Sequence, residues 1–324
     1  MPLTTDETLL KLSRDVVAAF DQANGCVHAG FRPAHAKGIL LSGTFTPSAD
    51  AASLTRAPHV QRASTPVTVR FSDFAGIPTI PDNDPQGASP RGMAVRFNLA
   101  EHVHTDIVAH SVDAFPSRTA EGFLEFLRAV IATRPTDPHP NAIESFLGAH
   151  PAALAFVQAP KPIPSSFARE TYFAVSAFAF TNARGARRFG RYRILPVAGV
   201  DHLDAAAAAA QAPSFLMDEI RRRVASGPIE FRIVVQLAED GDVTDDATVR
   251  WPGTRPQVAF GRLAIDTLVP DDVAAQRRII FDPIPRVDGI EPSGDPLLEL
   301  RAAIYLLSGR RRRQAPVVQA SGSV

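Results

Sequence analysis

Cysteine is nearly absent, with Cys26 the only one in 324 residues. That excludes an intrachain disulfide framework and any multi-cysteine zinc or iron–sulfur centre. Net charge is absent too, since 34 Lys and Arg balance 34 Asp and Glu. No global field therefore draws the chain to nucleic acid or to an anionic membrane. No apolar run approaches the ~20 residues needed to span a bilayer. The start, Met1 to Glu7, has neither the basic opening nor the apolar block of a signal peptide. A cytoplasmic protein is expected, or a periplasmic one if a leader was removed. No useful repeat and no clear linker divides the chain. One domain over residues 1–314 is expected, with a flexible Ser/Gly/Ala-rich tail over 315–324.

What is present is ordinary globular material, 45% apolar and 21% charged. Residues 5–24 read as a capped amphipathic helix, with Asp6 and Glu7 in its first turn. Short runs rich in β-branched and aromatic residues follow at 38–46, 67–72, 93–99 and 106–112. Residues 119–133 carry Phe123, Phe126, Leu127 and Val130 at helical spacing. Residues 142–157 read as a helix broken at Pro151, and 204–225 as one broken at Pro213. A second strand block covers 171–180, 188–197, 229–237 and 258–269. Helices set between antiparallel strand clusters predict an α+β fold with a closed or nearly closed sheet.

The last helical segment, Pro296 to Arg313, holds Arg301-Ala-Ala-Ile-Tyr305. Residues four apart share a helix face. A guanidinium beside a phenol favours an anionic oxygen, and tyrosine is one of the few axial ligands of haem iron. Alone, this short pattern also suits an exposed helix that happens to carry an Arg and a Tyr. The segment Arg32-Pro-Ala-His35-Ala-Lys37-Gly38 places an imidazole among small residues at the entry to a strand. Imidazole titrates near neutrality and can move a proton, although a lone His is more often structural.

His35-Ala-Lys-Gly38, Val69-Arg-Phe-Ser72, Pro90-Arg-Gly-Met-Ala-Val-Arg-Phe97 and Asp106-Ile-Val108 occur in that order. Phe281-Asp-Pro283, Gly289-Ile-Glu-Pro-Ser293, Asp295 and Arg301-x-x-x-Tyr305 follow them. The series resembles the successive motifs of haem catalases, from about residue 28 to residue 313. The short chain resembles the catalase-related peroxidase branch. The resemblance implies an antiparallel eight-stranded β-barrel with appended helices around a buried haem b. It implies Tyr305 as iron ligand, Arg301 as its charge partner, and His35 as distal acid/base with Ser72 bonded to it. Arg32, Arg70 and Arg312 match arginines that hold the haem propionates, although a neighbour in the run Arg310 to Arg313 could replace Arg312. That run also suits a solvated helix end. Phe123 falls where an aromatic ring stacks on the porphyrin, and its spacing suits core packing equally. Ala34 replaces a bulkier aliphatic residue beside His35.

One position departs from the family pattern. Where catalases usually supply a distal Asn, this chain reads Asp106-Ile-Val-Ala-His110-Ser111, with either His110 or Ser111 in register. An amide donates without titrating, whereas an imidazole can donate, accept or become charged. Peroxidase activity on hydrogen peroxide or organic hydroperoxides, with a small organic electron donor and only weak catalase activity, is the resulting expectation. A hydroperoxide isomerase of the allene oxide synthase kind and a non-catalytic haem carrier are the alternatives. A homodimer is plausible because closed pairs are common.

Overall fold

The structure, a computed structural model, describes residues 3–316. Of the tail expected over 315–324, residues 317–324 lie outside the described residues. The strands are β1 (Gly38–Pro47), β2 (Thr65–Ser72), β3 (Gly92–Ala100), β4 (Val103–His110), β5 (Tyr172–Phe173), β6 (Phe178–Thr181), β7 (Arg187–Pro196), β8 (Ile229–Leu237), β9 (Gln257–Leu268) and β10 (Ile290–Pro292). All pair antiparallel, in the order β10-β6-β7-β5-β4-β3-β2-β1-β9-β8. A further β7–β8 pairing closes the ring. Eight strands form the barrel, while β6 and β10 extend it beyond β7.

Side chains on alternate faces of a strand explain why this barrel fills itself. In β8, Ile229, Phe231, Ile233, Val235 and Leu237 all turn inward and are buried. Phe45, Phe71, Phe97 and Phe260 join them in one apolar core. The expected strand over 171–180 is two short pieces, because the chain leaves the barrel after Phe173 to pair β6 with β7 and β10. The strand expected at 106–112 starts three residues earlier and stops at His110, where the Ser111 N–H turns back to Arg91 O.

Nine α-helices occur among the described residues: α1 (Glu7–Ala23), α2 (Ala51–Leu54), α3 (Ala120–Ala132), α4 (Ala142–Ala149), α5 (Pro151–Gln158), α6 (Ala205–Ala209), α7 (Phe215–Ser226), α8 (Asp272–Arg278) and α9 (Leu297–Gln314). Asp6 caps α1 by accepting from the Thr8 and Leu9 N–H groups, and Thr119 caps α3. Pro151 opens α5 at a position where a missing N–H costs nothing. Helices α1, α3 and α9 share a second core through Val16, Leu124, Leu127, Leu300 and Ile304. Val130, expected on the apolar face of α3, is exposed. The functional cavity lies where this helical layer meets the barrel.

Candidate active site

All nine residues singled out as a site line one cavity of about 210 Å³. His35, Ser72 and His110 reach it from the barrel side. Arg301, Tyr305 and Arg312 reach it from α9, Phe123 from α3, and Arg32 and Arg70 from one end. The rest of the lining is largely apolar.

Strand register explains the barrel side. Gly38 stands opposite Ser72, Ser72 opposite Gly92, and Gly92 opposite His110. Residues opposite one another share a face of the sheet, so Ser72 and His110 flank Gly92 on the cavity side. Gly92 must lack a side chain: a Cβ there would lie 2.6 Å from Ser72 Oγ and 2.8 Å from His35 Nδ1. His35 Nδ1 is 3.1 Å from Ser72 Oγ, and the Phe74 ring meets the imidazole edge-on at 5.5 Å between centroids. The backbone at His35 is left-handed, with φ of 58°. Such a conformation costs a non-glycine residue on the order of 1–3 kcal/mol. It is held from both sides, because the His35 N–H donates to Phe74 O at 2.6 Å and the His35 carbonyl accepts from Arg70 at 2.8 Å.

Burial, then the charges of Arg70, His110 and Arg32, push the His35 pKa down to about 3. Burial and the Arg301 charge push His110 down to about 3 as well. Both imidazoles are therefore neutral at physiological pH. Ser111 does not take the place of His110: its Oγ accepts from the Arg91 N–H at 3.0 Å, and His110 is the residue that lines the cavity.

At one end of the cavity three arginines converge. Arg32 and Arg312 both donate to the Ile279 carbonyl, at 3.1 and 2.8 Å. Arg312 also donates to Ser308 Oγ, and Arg70 to Gln276 Oε1. Every one of these acceptors is neutral, and Arg312 Nε has no partner among the described residues. Burial, reinforced by the other arginines, pushes Arg70 down to about 9, Arg312 down to about 8 and Arg32 well below its ordinary range. The structure also separates the members of the basic run. Arg311 pairs with Asp21, Arg313 donates to Arg278 O, Arg310 is exposed, and only Arg312 lines the cavity.

On α9 the Arg301 guanidinium lies against the Tyr305 ring, 5.9 Å from its centroid. It approaches the face of the ring. Phe123 contacts Phe115 and Phe20 at 5.1 and 5.9 Å between centroids. It is both a cavity wall and part of the helical core.

Sequence reasoning missed α8 and the turn after it. Gln276 holds Arg70, donates to Gly38 O, and is itself braced by Asp272. Gly309 lets α9 press onto Ile280, whose Cδ1 would be 2.2 Å from an added Cβ. That close approach brings Arg312 to the Ile279 carbonyl. The polar pattern of 272–278 is the only sequence signal for this support.

The catalase family model matches residues 20–319. The chain belongs to the catalase family. It is 36% identical over 294 residues to the catalase-related peroxidase of Mycolicibacterium paratuberculosis, covering 90% of this chain and 92% of that protein. It is 32% identical to the catalase-related peroxidase of Synechococcus elongatus, covering 92% of this chain and 87% of that one. The match to the Alkalihalophilus pseudofirmus catalase is 28% identical and spans 43% of that longer protein. Catalase A from Saccharomyces cerevisiae shares the fold, with a TM-score of 0.77 at 21% identity over 98% of this chain and 67% of that one.

Membership in this family implies haem, and the cavity fits it. A cluster of three cations with neutral partners, Arg70 and Arg312 buried and Arg32 half-buried, suits a ligand that carries two carboxylates. The apolar walls suit a flat hydrophobic ring, and Tyr305 offers an oxygen donor to iron.

Proposed function

We propose that this chain is a haem b peroxidase. It reduces hydrogen peroxide or an organic hydroperoxide with electrons from a small organic donor, and its catalase activity is weak. The catalytic unit covers residues 1–314. The observation that carries this reading is the convergence of a phenol, an imidazole–serine pair and an arginine trio on one cavity.

Arg32, Arg70 and Arg312 would hold the two propionates, Phe123 would pack on the macrocycle, and Tyr305 would ligate the iron with Arg301 beside it. The chemistry that bound haem supplies is two-electron cleavage of the peroxide O–O bond, followed by one-electron exchange with the donor.

The remaining work belongs to the protein. His35 Nδ1 is engaged by Ser72 Oγ, which leaves Nε2 to meet the substrate. A neutral imidazole can take the proton of the near peroxide oxygen on Nε2 and return it to the far oxygen. The leaving group then departs as water or an alcohol, and His35 ends as it began. The backbone clamps on His35 keep that nitrogen in place through both transfers. Propionate charge beside Arg70 and Arg32 would offset two of the charges that depress the basicity of His35.

The test is reconstitution with haem, an absorption spectrum, and peroxide-dependent oxidation of a phenolic donor. Donor oxidation that far exceeds donor-free peroxide loss supports the proposal. Fast peroxide destruction with no donor oxidation would make the protein a catalase. Haem uptake without peroxide reactivity would make it a carrier, and rearranged fatty-acid hydroperoxide products would make it an isomerase.

A further inference from the structure

His110 is where this chain leaves the family pattern, and its surroundings specify what the imidazole can do. Its Nδ1 lies 3.3 Å from the Val112 backbone nitrogen, with the amide hydrogen directed at the ring. A peptide N–H always carries its proton, so the ring nitrogen facing it must accept. A neutral imidazole that accepts at Nδ1 carries its own proton on Nε2. Nε2 has no hydrogen-bond partner among the described residues, and the side chain lines the cavity. The register that sets His110 opposite Gly92, and Gly92 opposite Ser72, puts this ring on the cavity face that also receives His35.

Resting on the peroxidase reading, we infer that His110 is a fixed N–H donor that positions the peroxide, and that it takes no part in proton transfer. Its Nδ1 is occupied as an acceptor and its Nε2 offers only a hydrogen. The proton transfer proposed for His35 uses the opposite tautomer: with a proton on Nδ1 donated to the Ser72 hydroxyl, its Nε2 is basic. His110 keeps its proton on Nε2 and presents a donor. Burial and the Arg301 charge hold His110 neutral, and they outweigh a smaller opposing contribution from the Val112 backbone. An imidazole in this state offers a ligand oxygen what a side-chain amide offers, one N–H without a titration. The departure at this position therefore changes the reach of the donor and retains its chemistry.

Two measurements test the inference. Nitrogen-15 correlation spectra of selectively labelled histidine, taken on the protein without haem and on its diamagnetic ferrous–CO form, report which ring nitrogen of His110 carries the proton. Protonated Nε2 is expected in both. A proton on Nδ1, bonded instead to the Val112 carbonyl, overturns the inference. The second measurement is fluoride affinity of the ferric haem protein, followed by absorption. Fluoride accepts a hydrogen bond but carries no proton to transfer at neutral pH. His110→Leu should weaken fluoride about tenfold, the magnitude of one hydrogen bond. His110→Gln, whose amide nitrogen reaches about as far as Nε2, should remain within about threefold of the parent. Equal affinity in the Leu variant overturns the donor role. If the parent takes up no haem at all, the peroxidase reading fails, while the tautomer measurement on the haem-free protein still decides the state of His110.

Discussion

Gly92→Ala should damage the chemistry while leaving the cofactor site intact. The added methyl would lie 2.8 Å from His35 Nδ1, whereas ordinary contact begins near 3.4 Å. The ring must therefore withdraw by about 0.6 Å or rotate, and it has little room for either. Its backbone is pinned at Phe74 O and by Arg70, and the Phe74 ring stands edge-on beside it. A displacement on the order of 1 Å at a reacting group costs ~10²-fold in rate. A loss of about tenfold to a hundredfold is expected in the first reaction with peroxide, followed by stopped-flow absorption. Haem affinity should stay within about twofold, because the arginine trio and Tyr305 are untouched. Adding Ser72→Ala to this variant removes the 2.6 Å contact with Oγ but not the contact with the imidazole, so it should not restore the rate. A Gly92→Ala protein with the parental rate, or a double variant that regains it, would refute the claim that His35 is the group displaced.

Tyr305→Phe removes the only cavity oxygen proposed to bind iron, so the absorption spectrum should change and peroxide reactivity should fall by at least about a hundredfold. Arg312→Gln should act in opposite directions on two observables. Haem affinity should fall about tenfold or more with the loss of a charge-assisted contact, while the melting temperature of the haem-free protein should hold or rise as cationic repulsion is relieved. His59 gives a prediction about acid stability. It is buried among Phe45, Phe97 and Phe260, its Nδ1 has no partner among the described residues, and burial and Arg62 push its pKa down to about 3. The unfolded chain binds its proton below about pH 6.5 and the folded chain does not, so stability is present above 6.5 and is lost as pH falls toward 3. His59→Phe should recover about 2.3 kcal/mol of the stability lost between pH 6.5 and 4.5, because the unfolded histidine is already half protonated at 6.5 and each full proton is worth ~1.36 kcal/mol per pH unit; urea melts in which variant and parent lose the same stability between the two pH values would refute it.

The fold was legible where periodicity is strong. Strand β8 matches the expected 229–237 because five alternate apolar residues leave no other register. Pro151 and Pro213 marked real helix breaks for a covalent reason, the missing N–H. Helix α8 was not legible, because its residues 272–278 bury no apolar stripe; it is held in place through Asp272, which accepts from the Leu40 N–H, and through Gln276, which bridges Gly38 and Arg70. Contacts of that kind join residues more than two hundred positions apart and leave no local trace. The site residues were named from ordered motifs, but the choice of Arg312 from four adjacent arginines depends on which face of α9 meets Ile280.

His110 shows the limit most clearly. Its identity was visible, and it argued for an added titratable group beside the reacting oxygen atoms. What an imidazole does, however, is set by what its second nitrogen touches. Here that nitrogen touches a peptide N–H two residues along the chain, created by the turn that ends β4. The same turn sends Ser111 back to Arg91 and so decides which residue reaches the cavity. One local backbone feature thereby selects the side chain and its tautomer together, while burial and the Arg301 charge keep it neutral. A substitution that looks disruptive as a change from amide to imidazole becomes conservative in the one property a ligand oxygen senses, a single N–H held at the cavity wall. The organic-donor preference we propose would then rest on parts of the protein other than the distal donor. His110→Asn provides the check: if the imidazole itself suppressed catalase activity, that change would raise donor-free peroxide loss many-fold, whereas the tautomer argument expects a change of less than about threefold.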